Sequence, residues 1–258
     1  MHMQSPATSV PSVPFGGGPV GGQWSVVGAI AFVTAVMGAG LLSAYMIQSG
    51  YEMWLARSDP VSLSGWPPAS DARFLIGVQL TAQLLQLLLI WTLVGIWHTD
   101  RSAAFNLAPP GLTVGQWLGA VVLLFAVKTA VTVIALGIAP SNFNRELGPI
   151  VRLVREPTVW LLFLAAVVLA GLTEELLFRG VLSRTLEATR LGFWGGAAIA
   201  SAAFALLHVQ YGTGGRIVIF AIGMTLAWIR SRSQSLWPAI VCHSINNAAA
   251  VFAMRAVA

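Results

Sequence analysis

Long hydrophobic segments separated by short polar turns run along most of the chain. A helix needs about 20 mostly apolar residues to cross a bilayer, and seven segments meet or approach that length. These segments are 25–48, 75–97, 114–138, 158–178, 193–210, 216–230 and 236–254. The pattern therefore predicts an all-α, polytopic membrane helix bundle with about seven transmembrane helices, or eight if one segment breaks.

The last four segments are shorter than the first three, are rich in alanine and glycine, and are joined by tight loops. Small residues let helices approach closely in lipid, so we expect residues 151–258 to form a compact core. Residues 24–150 supply the N-terminal transmembrane helices. Residues 1–23 are rich in Pro, Gly and Ser and lack the basic region of a signal peptide, which predicts a disordered tail before an uncleaved first span.

Composition agrees with this membrane class, because 57% of the residues are hydrophobic and 9% are charged, against about a quarter charged in soluble domains. The net charge of +5 comes from single, scattered arginines. They suit helix ends beside anionic lipid headgroups, and we expect no nucleic-acid partner. Among the basic residues there is one lysine, and alanine and glycine are abundant, which favours a GC-rich bacterial genome and a multi-pass protein of the bacterial plasma membrane. The sequence does not predict an oligomeric state.

Three groups of polar residues interrupt the last four hydrophobic segments, where ionisable groups are costly and are therefore functional candidates. The first group lies in GLTEELLFRG and contains Glu174, Glu175 and Arg179. On a helix, Glu175 and Arg179 share a face in the order that favours an ion pair. Glu174 is rotated from them by about 100°, so one glutamate is assigned to a structural pair and the other is available for chemistry.

The other two groups contain histidines at helical spacing. In FALLH, Phe204 and His208 lie one turn apart, which places the histidine beside an aromatic wall. In HSINN, His243 and Asn247 are four apart, so both side chains are predicted to project into one space. Asn246 is three residues from His243 and is a weaker candidate for the same pairing.

A carboxylate, two histidines and an asparagine in one cavity suit water activation, with Glu174 as general base and a His/Asn pair that stabilises the oxyanion of an amide. Two alternatives stay open. One is a Ser–His pair that uses Ser183, Ser201 or Ser244. The other is a zinc site, because Glu and His are zinc ligands although no HExxH motif is present. The single lysine, Lys128, either snorkels to the membrane surface or has an internal role.

In order and spacing, TEELLFRG, FALLH and HSINN resemble the EExxxR, FxxxH and HxxxN motifs of the CPBP family of intramembrane proteases. That family includes the CAAX prenyl endopeptidases and bacterial abortive-infection proteins, and the resemblance covers about residues 158–254. It implies that Glu174 and His208 activate the attacking water. It also implies that His243 and Asn247 form the oxyanion site.

The resemblance further implies that Glu175, Arg179 and Phe204 support the site, and that the substrate is a membrane-associated protein or peptide. The family carries a metalloprotease label, but we expect a glutamate-activated water without a cofactor. Zinc held by Glu174, His208 and His243 is the alternative. The same buried polar groups are also compatible with a proton- or ion-coupled transporter, and a non-catalytic membrane scaffold or immunity protein is the third hypothesis.

Overall fold

The computed structural model describes residues 24–58, 72–98, 100–138 and 153–257, and all regular structure within these ranges is helical. Helices hydrogen-bond their own backbone N–H and C=O groups, and these groups find no partners in the hydrocarbon of a membrane. We label eight of them as α1 (Val26–Ser58), α2 (Ala72–Trp97), α3 (Arg101–Phe105), α4 (Val114–Ile138), α5 (Val159–Glu187), α6 (Gly192–Leu207), α7 (Thr213–Ser233) and α8 (Trp237–Val257). The predicted all-α fold is confirmed, while the predicted disordered tail lies outside the described residues.

Each of the seven predicted segments coincides with a helix. Five described helices, α1, α2, α4, α5 and α7, are long and apolar enough to cross a membrane. Helix α6 is apolar but has 16 residues, and α8 has 21 residues with a polar stretch in its middle. The protein is therefore a multi-pass membrane protein, and the count of seven or eight transmembrane helices stays a prediction.

Helix α5 continues to Glu187, although the hydrophobic pattern predicted its end at residue 178. The polar residues in this extension find partners within the protein. Ser183 Oγ donates to Glu187 Oε1 at 2.5 Å, and Arg184 Nη1 donates to the carbonyl oxygen of Ala104 at 3.1 Å. Because these groups are satisfied inside the bundle, they do not end the helix.

The middle of the bundle is α5, which contacts α1, α2, α3, α6, α7 and α8. In its most apolar stretch 61% of the residues are buried, whereas 11% are buried in the corresponding stretch of α4, which packs against α7 and α8. Two parts of α5, Leu164–Leu169 and Leu176–Ser183, are π-helical. These wider turns are frequent at functional sites, and they change which side chains face the neighbouring helices.

Helix α8 is fixed at its start and along its length. Trp237 Nε1 donates to the carbonyl oxygen of Leu107 at 3.0 Å, which ties the beginning of α8 to the segment that follows α3. Further along, α8 lies directly against α5 at Gly171. A methyl group on Gly171 would collide with Ser244 Oγ and lie 3.4 Å from the Ser244 backbone nitrogen. This close approach, of the kind that small residues permit, brings the polar residues of α5 and α8 within hydrogen-bonding distance.

Candidate active site

The polar centre of the bundle is His243 of α8, which lies between the two adjacent glutamates of α5. Its Nδ1 is 2.8 Å from Glu175 Oε1, and its Nε2 is 3.7 Å from Glu174 Oε2. An ionised carboxylate only accepts hydrogen bonds, so Nδ1 carries the hydrogen that is donated to Glu175. The ring is thereby oriented with Nε2 toward Glu174.

The ion pair predicted from the four-residue spacing is present. Arg179 Nη1 donates to Glu175 Oε1 at 2.7 Å, and the two side chains are 1% and 0% exposed. A buried charge is tolerated when it is paired and hydrogen-bonded. Glu175 Oε1 therefore has two partners, Arg179 and His243. The ion pair with Arg179 fixes the carboxylate, and the carboxylate fixes the imidazole.

Glu174 differs from its neighbour in both exposure and contacts. Its side chain is 18% exposed, and it faces His243 Nε2 at a distance that exceeds a direct hydrogen bond. Glu174 Oε2 and His243 Nε2 each keep hydrogen-bonding capacity for a third group. The two glutamates are thus not equivalent, in agreement with their predicted separation around the helix.

The ring of Phe204 of α6 contacts Arg179 and both histidines of the site. The Arg179 guanidinium carbon lies 4.4 Å from the ring centroid, in a cation–π arrangement. The His208 and His243 ring centroids lie 4.6 and 5.9 Å from that of Phe204. The aromatic neighbour predicted for His208 is therefore present, and the buried Phe204 ring also contacts the arginine and the second histidine.

His208 lies just after the last residue of α6 and is partly buried. Its Nδ1 is 2.8 Å from the carbonyl oxygen of Phe204. A carbonyl oxygen only accepts, so Nδ1 is the protonated nitrogen, and Nε2 of the neutral ring keeps its lone pair. The described contacts link His208 to the glutamates through Phe204 and His243, and not by a direct hydrogen bond.

Asn247 lies one turn beyond His243 on α8 and contacts a different level of α5. Its Nδ2 donates at 2.8 Å to the carbonyl oxygen of Ala166, which lies in the first π-helical part of α5. Asn246 Nδ2 donates to Asn247 Oδ1 at 3.1 Å, and Lys128 Nζ donates to Asn246 Oδ1 at 2.9 Å. The Lys128–Asn246 contact was not predicted, and the only signal for it was a lysine in the middle of a hydrophobic segment.

The three serines considered as nucleophiles have other surroundings. Ser183 donates a hydrogen bond to Glu187, and Ser244 lies against Gly171. Ser201 Oγ is buried and has no hydrogen-bond partner within the described ranges. The described contacts therefore include no Ser–His hydrogen bond.

The candidate zinc ligands have suitable donor atoms, but their described arrangement does not fit a zinc site. Within the part of the chain that the structure describes, no three His, Cys, Asp or Glu side chains form a group that could hold a metal ion. His243 Nε2 and Glu174 Oε2 lie 3.7 Å apart, but the described contacts bring no third ligand of this kind beside them, and catalytic zinc needs three protein ligands. We therefore assign no step of the reaction to a metal.

A second ion pair, which is less deeply buried, lies at the end of α5. Arg230 Nη2 of α7 is 2.5 Å from both Oε1 and Oε2 of Glu187, and the two side chains are 7% and 15% exposed. Ser183 Oγ donates to the same carboxylate. This pair was missed because Glu187 reads as the end of an element and Arg230 follows it at long distance along the chain.

The C-terminal part of the chain matches a family model. Residues 156–249 match the family model described as "Rce1-like: Type II CAAX prenyl endopeptidase Rce1-like". The matched range includes Glu174, Glu175, His208, His243 and Asn247, and the resemblance predicted from the three motifs is confirmed. No curated protein and no solved structure matches the chain.

Proposed function

Since residues 156–249 match a family of prenyl endopeptidases, we propose that the protein is an intramembrane endopeptidase. It hydrolyses a peptide bond of a membrane-associated protein or peptide. The observation that best supports this proposal is the position of His243, bonded to Glu175 and facing Glu174 within a bundle of apolar helices. Titratable side chains in such mutual contact are candidates for the general acid and base of a hydrolytic reaction.

In the proposed reaction, Glu174 is the general base and His208 is the second acceptor for the attacking water. A water molecule that donates one hydrogen to Glu174 and the other to His208 Nε2 keeps a lone pair for attack. As the water oxygen bonds to the carbonyl carbon, Glu174 takes its proton. The same proton then passes to the amide nitrogen as the C–N bond breaks, which gives an acid and an amine.

His243 and Asn247 are proposed to stabilise the oxyanion that forms on the carbonyl oxygen. His243 donates Nδ1–H to Glu175, so in its doubly protonated form it has one further donor, Nε2–H. Asn247 Nδ2 donates to Ala166 and has a second hydrogen. Two donors aimed at developing negative charge are the usual composition of an oxyanion hole. Glu175, Arg179 and Phe204 keep the histidine in position.

The substrate and the membrane are proposed from the composition of the chain. The excess of arginine over lysine and the abundance of alanine and glycine favour a bacterial plasma membrane, where prenylated substrates are not expected. An unprenylated membrane peptide is therefore the substrate class that we propose.

The full chain in proteoliposomes tests the function with a panel of internally quenched, membrane-inserted peptides, one of which ends in a farnesylated CaaX sequence. We expect the wild type to cleave at least one unprenylated peptide, with the position read by mass spectrometry. Glu174→Gln should reduce the rate by about 100- to 10,000-fold, the usual contribution of a general base. Glu156→Gln makes the same chemical change at the edge of the matched segment and should leave the rate unchanged.

Three results would overturn parts of the proposal. Failure of the wild type to cleave any peptide, together with ion flux into the same liposomes, would favour the transporter. Equal cleavage by Glu174→Gln would exclude water activation by that residue. Stoichiometric zinc in the active purified protein would replace the metal-free reaction with a metal-assisted one.

A further inference from the structure

A lysine outside the matched segment is joined to the proposed oxyanion site by a chain of hydrogen bonds. We infer that Lys128 is a positioning residue, which acts through Asn246 to fix the orientation of the Asn247 side-chain amide. In this orientation Asn247 presents N–H, and not oxygen, to the reacting carbonyl. The inference rests on the proposed function, since it assigns Asn247 a donor role.

Lys128 lies too deep in α4 to serve the membrane surface. Even the nearer end of the helix, Ile138, is about 15 Å away along the axis at 1.5 Å per residue, which exceeds the reach of a lysine side chain. Its Nζ instead donates to Asn246 Oδ1 at 2.9 Å and lies 5.7 Å from the ring centroid of Phe125. A cation at this depth is expensive and is retained where it has a specific partner.

The chemistry of the ammonium group sets the donor-to-acceptor direction of every hydrogen bond in this series. A lysine ammonium has three donors and no acceptor, so Asn246 must turn Oδ1 toward it. Asn246 Nδ2 then points to Asn247 and donates to its Oδ1 at 3.1 Å. Asn247 Nδ2 is thereby directed toward α5, where it donates one hydrogen to Ala166 and keeps the second.

Without the lysine, α4 offers Asn246 no donor that would fix which way its amide oxygen points. Among the described contacts, the Ala166 carbonyl would then be the only one that favours the observed orientation. Rotation of both amides by half a turn, which keeps nearly the same shape, would therefore become less costly. A rotated Asn247 would present a lone pair to the oxyanion and destabilise it. The positive charge also polarises the amides in the sense that makes the last N–H a better donor.

The experiment uses the full chain in proteoliposomes, a peptide that the wild type cleaves, and a peptidyl phosphonate of the same sequence as a mimic of the tetrahedral intermediate. Loss of an oxyanion donor costs about 100- to 1,000-fold in kcat, and misorientation of one donor should cost less, about 10- to 100-fold. We expect this loss in kcat for Lys128→Met, an equal loss of phosphonate affinity, and an unchanged KM, because the contact forms with the transition state.

Two further variants separate orientation from packing. Asn246→Asp keeps an oxygen for Lys128, but its carboxylate cannot donate to Asn247, so it should lose kcat as Lys128→Met does. Lys128→Arg keeps a donor-only cation and should recover part of the rate. Thr129→Val, at the exposed neighbouring position of α4, is the control and should behave as the wild type.

An active wild type together with full kcat and full phosphonate affinity in Lys128→Met would overturn the inference and leave the proposed function intact. A Lys128→Met protein whose KM and melting temperature change while phosphonate affinity does not would assign the lysine to helix packing, which also overturns it. If the wild type cleaves nothing, the proposed function fails first. That failure is recognised before any Lys128 variant is compared.

Discussion

Helix α5 carries two buried carboxylate–arginine pairs that differ in the group that completes each one. Glu175 and Arg179 belong to the same helix, and the third partner is His243 of α8. Glu187 is paired across the helices with Arg230 of α7, and its third partner is the hydroxyl of Ser183. Both pairs combine the same charged groups, and the second pair is less deeply buried, with side chains 7% and 15% exposed against 1% and 0% for the first.

The third partner decides what each pair can do. An imidazole held by Glu175 presents its other nitrogen to a second carboxylate, so protons can be moved and a charge can be stabilised there. A serine hydroxyl beside Glu187 ends the network within one turn of α5. A buried ion pair is therefore weak evidence for catalysis, and the side chain that it orients is better evidence.

The largest difference should follow from removal of each third partner. His243→Ala removes a proposed oxyanion donor and should reduce kcat by at least about 100-fold. Ser183→Ala should leave kcat unchanged and cost about 1.5–3 kcal/mol of stability, the value of a hydrogen bond to a charged group. Steady-state cleavage in proteoliposomes and thermal unfolding in detergent measure the two effects. Full activity of His243→Ala would remove the distinction between the pairs.

The next largest effect concerns the carboxylates themselves. Glu175→Gln and Glu187→Gln each leave a buried arginine without its counter-charge, which should cost about 3–5 kcal/mol of stability. The kcat of the folded fraction should differ between the two variants. Glu175→Gln weakens the contact that orients His243, whereas residue 187 does not contact the site. Unfolding curves matched with cleavage rates make the comparison. Equal loss of kcat in both variants would show that the second pair also serves the reaction.

The smallest effect is expected for removal of the whole second pair. Replacement of a buried ion pair by apolar residues of similar volume is often neutral or stabilising by about 1–4 kcal/mol. The double variant Glu187→Leu/Arg230→Met should therefore unfold near the wild-type temperature and retain kcat. Arg184 keeps its own carbonyl partner in this variant. A double variant that folds but does not cleave would give this pair a functional role.

Local spacing predicted several contacts of the site correctly. The Glu175–Arg179 ion pair follows from a four-residue separation on one helix, and so does the contact of Phe204 with His208. These predictions succeed because helical geometry alone brings such side chains together. The predicted roles of Glu174, His208, His243 and Asn247 in catalysis stay predictions until the variants are measured.

Contacts between helices could not be predicted in the same way. Local spacing does not reveal the rotation of α8 that places His243 Nδ1 on Glu175. It also does not reveal that Lys128 has its partner Asn246 on a helix 118 residues away. The π-helical parts of α5 were also missed, because one hydrophobic pattern fits both kinds of helix when most of the residues are apolar. Each of these features depends on packing.

By itself, the sequence determined that the protein is an all-α membrane bundle, that its polar residues are concentrated in the last four hydrophobic segments, and that their motifs match an endopeptidase family. These properties depend on composition and local spacing. The tertiary structure decided that His243 lies between two glutamates that differ in exposure and partners, and that Lys128 donates to the side-chain amide of Asn246. The physical reason is that close helix contacts, such as that of Gly171 with Ser244, set the rotation of each helix, and that rotation selects the polar groups that meet.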